Sequence, residues 1–147
     1  MVDRLARWVR GRAKGESAAA AVLRELREEV EAVSPRIGLA PGVARFMRVV
    51  DEAPALRSRL WAIGQETLQG LEEALREETG APPGDPLPGL VAGQINWVYQ
   101  TVTTVIGREM GAGRSPGEVS REVLVLLDDM EELLSPKVLG YAVRADG

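Results

Sequence analysis

Residues 54–79 read PALRSRLWAIGQETLQGLEEALREET, and their spacing decides the fold class. At roughly 100° per residue, Leu56, Leu60, Ile63, Thr67, Leu71, Ala74 and Leu75 fall within an arc of about 120°, which Trp61, Gly64 and Leu68 widen. Arg59, Glu66, Glu73, Arg76 and Glu77 take the other side. Pro54 suits the first turn of a helix, so the spacing predicts one long amphipathic helix from Ala55 to about Thr79. No stretch of the chain sustains strand-like alternation, which makes an all-α fold the expectation.

Outward from this helix the same period recurs. Downstream, the polar loop Gly80-Ala-Pro-Pro-Gly-Asp-Pro leads to an uncharged helix, Leu87 to about Met110, and a Gly111–Ser115 turn leads to a last helix from Pro116 to about Leu134. Upstream, three shorter helices are predicted: about Asp3–Ala13, Ala18–Val33 behind a Ser17 cap, and Pro41–Glu52 with Val43, Phe46, Met47 and Val50 as its apolar stripe. On the second of these, Arg24 and Arg27 stand four residues before Glu28 and Glu31, as surface pairs would. The expected architecture is an antiparallel bundle of about six helices over residues 1–134, with 135–147 as a loosely held tail.

Composition narrows the function. The 147 residues are 45% apolar, enough for one domain with a sizeable core. Cysteine and histidine are both absent, so disulfides, thiolate metal sites and the commonest general base are excluded, and no cofactor or metal is implied. No phosphate loop or nucleophile motif occurs, and acidic pairs such as Glu72-Glu73 or Asp128-Asp129 fall on predicted wet faces. The expectation is a protein that is not an enzyme. With 18 basic against 22 acidic residues, the chain as a whole is no electrostatic nucleic-acid binder, although residues 1–14 carry Arg4, Arg7, Arg10, Arg12 and Lys14 against Asp3 alone. All basic residues but Lys14 and Lys137 are arginine, a bias that points to GC-rich bacterial coding. The charged first residues lack a signal-peptide core, so a cytoplasmic location is expected.

The two last helices carry more apolar surface than one packed face can hide. Pro86 to Gly107 spans 22 residues without a charge, yet Gln94, Asn96, Gln100, Thr101, Thr103 and Thr104 argue against a membrane span. Opposite its broad apolar arc lie small or neutral residues, among them Gly93, Asn96, Gln100, Thr104 and Gly107. In the last helix Val119, Val123, Leu126, Met130 and Leu133 repeat at four and three, a heptad seam. These ten residues form the expected interface of a homodimer, with two helices from each copy making a four-helix contact.

A second group suggests a pocket. Phe46, Met47, Val50, Trp61, Gln65, Leu68, Gln94, Trp97, Val98 and Thr101 supply aromatic and flexible apolar surface from three helices, with uncharged polar tips to orient a small ligand.

The order of elements, with the opening Pro54-Ala-Leu-Arg-Ser-Arg-Leu and the run Leu71-Glu-Glu-Ala-Leu-Arg-Glu, resembles the C-terminal ligand-binding and dimerisation domain of TetR-family transcriptional repressors over about Asp3 to Leu134. The resemblance implies that the last two helices form the dimer bundle and that a small, mostly apolar effector binds among the preceding ones. The family's N-terminal helix-turn-helix domain, roughly fifty residues, has no counterpart here. Arg4, Arg7, Arg10 and Arg12 would then lie on the helix that joins such a domain, DNA would be reached only through it, and this chain alone should show at most weak, nonspecific binding. The alternative expectation is a structural helical homodimerisation module with a filled core and no ligand.

Overall fold

The computed structural model describes residues 3–145, and all regular structure among them is helical. The order is α1 (Arg4–Arg10), α2 (Ala18–Glu31), a single 3-10 turn (Pro35–Ile37), α3 (Val43–Glu52), α4 (Pro54–Thr79), α5 (Leu87–Gly111), α6 (Pro116–Leu133) and the short α7 (Pro136–Leu139). The boundaries follow local chemistry. Ser17, Ser115 and Ser135 each accept a hydrogen bond from a first-turn amide of the helix they precede, and Pro54 and Pro116 occupy first-turn positions where no backbone donor is needed. Gly80 ends α4 with a left-handed φ of 66°, a conformation natural to glycine. No helix among the described residues is long and apolar enough to cross a membrane.

One core joins α1, α2, α5, α6 and the second half of α4. Leu5, Val9, Leu26, Val30, Leu71, Leu75, Ile95, Val98, Val102, Ile106, Val123 and Leu127 are all buried in it. The expectation of a heptad seam facing a partner is corrected here. Val119, Val123 and Met130 lie inside this core, because that side of α6 packs against α2 and α5 of the same chain. Ser120 fixes the α2–α6 contact by donating a buried hydrogen bond to the Val30 carbonyl at 2.6 Å. Arg27 crosses the same boundary to Asp128 (2.9 Å) and Glu131 (3.2 Å) rather than pairing with Glu31. At the turn into α6, Arg114 joins Glu109, Glu118 and Glu122, and its hydrogen bond holds the Glu122 carboxyl below the ordinary glutamate range.

The first helix belongs to the bundle, with Leu5, Ala6 and Val9 buried against α2 and α4. Its arginines are largely engaged by their own chain: Arg4 reaches Glu29 and the Arg36 carbonyl, Arg10 pairs with Glu77, and Arg12 pairs with Glu78 at 2.5 Å. The segment expected to be a loose tail is docked. Arg12 Nε donates to the Ala142 carbonyl, the Gly15 amide donates to Arg144 O, and the Arg144 amide donates to Glu16 O. Residues 146 and 147 of that segment lie outside the described part.

Candidate functional site: a cleft between α3, α4 and α5

α4 changes character along its length. In its second half Leu71 and Leu75 are 0% exposed, whereas Leu56, Leu60 and Trp61 in its first turns are 39%, 42% and 70% exposed. The helix keeps one apolar stripe throughout, but only its C-terminal half has neighbours deep enough to cover it. Near that half, α4 and α5 come close: a Cβ at Gly89 would stand 2.8 Å from Glu72 Oε1. Towards the start of α4 the two helices leave a cleft, across whose end α3 lies.

Glycine on α5 sets the position of α3. The Met47 side chain rests on Gly107, where an added Cβ would meet Met47 Cε at 3.4 Å and Sδ at 3.5 Å, and it reaches on to Gly111. The cleft so bounded has a volume of about 910 Å³. α3 contributes Phe46, Met47, Arg48 and Asp51, and α4 contributes Leu60, Ile63, Gly64 and Thr67. α5 forms the long wall with Tyr99, Gln100, Thr103, Thr104, Gly107 and Arg108, ending at Gly111 and Ala112. Thr67 and Thr103 donate their hydroxyl hydrogens to the carbonyls of Ile63 and Tyr99, so the polar atoms of this wall are partly occupied by backbone. Among the described residues no hydrogen bond occupies the Gln100 side-chain amide, and its Nε2 lies 3.5 Å from the position of a Gly64 Cβ.

The structure brings together only part of the expected pocket. Phe46 and Met47 line the cleft. Val50 and Val98 are buried in the protein interior, and Leu68 packs half-buried against the core. Trp61 and Gln65 point into solvent, and Gln94, Trp97 and Thr101 lie on the outer side of α5. The interface set divides in the complementary way. Gln100, Thr104 and Gly107 line the cleft, Asn96 turns inward with its Oδ1 buried and unpartnered, and Gly93 remains half-exposed. Of the two faces of α5, the one expected to meet a partner borders the cleft, and the polar tips and Trp97 of the one expected to line the pocket lie outside it. Gly89 and Gly107 are where Glu72 and Met47 of the same chain approach α5, so at these two positions small size serves intrachain packing, whereas a Cβ at Gly93 would meet nothing within 4 Å.

The outer side of α5 consequently carries Leu90 (64% exposed) and Trp97 (40%), without a charged residue between them. On α6, Leu133 is 74% and Val125 62% exposed, while Leu126 is half-buried. α5 and α6 are joined by a short turn and pack on each other, so Leu90 near the start of one and Leu133 near the end of the other lie at the same end of the helix pair, while exposed Arg121, Glu122, Asp128 and Asp129 surround Val125. Among the described residues no group of acidic side chains is placed to hold a metal ion.

No protein-family model matches the chain, and neither a curated protein nor a solved structure matches it.

Proposed function

We propose that this chain is the effector-binding and dimerisation module of a TetR-like transcriptional repressor, working in the bacterial cytoplasm. The observation that carries the reading is the cleft between α3, α4 and α5: about 910 Å³ with Phe46, Met47, Leu60, Ile63 and Tyr99 exposed to a ligand and polar groups such as Gln100 and Thr104 to orient it. The outer face of α5 and α6 supports the second half of the reading, since Leu90, Trp97 and Leu133 are the surface that a second copy would cover.

The cleft and the first helix meet on α4. A ligand would act on the exposed first half of α4, while α1 is held to its second half through Arg10–Glu77 and Arg12–Glu78. A ligand that favours one position of α4 over another therefore biases the position of α1, the helix that would lead to a DNA-reading domain. Sequence-specific DNA contact belongs to that domain and not to this chain.

Thermal denaturation with a panel of small apolar compounds tests the reading. Compounds that enter the cleft are expected to raise the melting temperature and, through Tyr99 and nearby Trp8, to alter intrinsic fluorescence; the two rings stand edge to face with centroids 6.3 Å apart. A panel that produces neither change would favour a purely structural dimerisation module.

A further inference from the structure

The cleft has a polarity along its length that specifies more than an apolar ligand. At its inner end the lining is neutral, with Thr67, Tyr99 and Gln100, and the middle is apolar, with Ile63 and Leu60 facing Met47. At its outer end stand Arg48 and Arg108: both line the cleft, and each is the chain neighbour of one member of the Met47–Gly107 contact. Arg48 makes no ion pair with any described residue, and Arg108 engages Glu109 only through Nε at 3.2 Å, which leaves its terminal nitrogens open. The one carboxylate in the lining, Asp51, does not balance these cations.

Resting on the reading of the cleft as an effector site, we infer that its ligand is an elongated amphipathic acid, an apolar chain ending in a carboxylate. The chain lies beside α5 between Tyr99 and Arg108, a run of about 13 Å at helical rise, and its carboxylate meets Arg48 and Arg108 at the open end. Burial of the chain against Phe46, Met47, Leu60 and Ile63 supplies most of the affinity. The guanidiniums supply the choice of head group, because their planar donors match a carboxylate and gain nothing from an alcohol of the same length.

Isothermal titration of the whole chain with dodecanoate and with dodecanol, both below their aggregation limits, separates the possibilities. Dodecanoate is expected to bind roughly tenfold or more tightly than dodecanol. In the double variant Arg48→Gln/Arg108→Gln, whose altered side chains are solvent-exposed and leave the core untouched, dodecanoate should fall to the affinity of dodecanol while dodecanol is unchanged. Equal affinities in the unaltered chain, or a preference that survives in the double variant, would overturn the acidic head group while leaving the cleft as a ligand site. Binding of neither probe would overturn the cleft reading itself.

Discussion

Arg12 shows how a residue type can mislead when its surroundings are unknown. In sequence it is one of a row of basic residues near the N-terminus, as a nucleic-acid contact would be. In the structure it is 3% exposed and donates to Val9 O, Ala142 O and Glu78 Oε1, while its own carbonyl accepts from Arg144. It ties α1, the second half of α4 and the C-terminal segment into one contact. Removing it takes the partner from the Val9 and Ala142 carbonyls, while the exposed Glu78 carboxylate turns to water, so Arg12→Ala is expected to lower stability by about 2 kcal/mol in chemical denaturation. It should also open residues 135–145 to limited proteolysis. A variant as stable and as protease-resistant as the parent would show that these bonds hold nothing in place.

At the scale of elements, α4 is where legibility stops. Its period identified it as a helix with an apolar stripe, and Pro54 and Gly80 mark its ends in sequence as they do in the structure. The stripe does not tell which of its residues find a neighbour. Leu60 and Leu71 look alike in sequence, yet one is 42% exposed and the other fully buried. Leu71→Ala is therefore expected to cost about 3 kcal/mol through the cavity it leaves, and Leu60→Ala no more than about 0.5 kcal/mol. Equal losses at both positions would mean that the first half of α4 packs as deeply as the second and that the cleft is closed. On α5 the sequence is silent for a related reason. Gly93, Asn96, Gln100 and Gly107 form an arc whose small size signals close approach, but size alone does not identify what approaches. The pairing of Gly107 with the long side chain of Met47, and of Gly89 with that of Glu72, is a long-range fact that periodicity cannot express. Phe46 and Met47 were legible as cleft residues because a short helix with a strong apolar stripe needs a wall to lie on. Arg48 and Arg108 were not, since a lone arginine on a helix usually marks a solvated face.

For the molecule as a whole, the arrangement assigns each side of the bundle a task. The core of α1, α2, α5 and α6 holds the helices together, α3 and the first half of α4 form a cleft beside it, and the outer side of α5 and α6 exposes Leu90, Trp97, Val125 and Leu133, with charged residues around the last two. That last surface is where the account is most exposed to contradiction. Leu90, Trp97, Val125 and Leu133 would stand in water in an isolated chain, and two copies related by a twofold axis would cover them. Trp97→Glu places a charge at the centre of that face without touching the core, so it should separate the copies and leave each folded. Sedimentation equilibrium of the unaltered chain at micromolar concentration tests the claim most directly. The account predicts a species of twice the 15.9 kDa chain mass, converted by Trp97→Glu to one chain mass. A well-folded unaltered chain sedimenting at 15.9 kDa would contradict it.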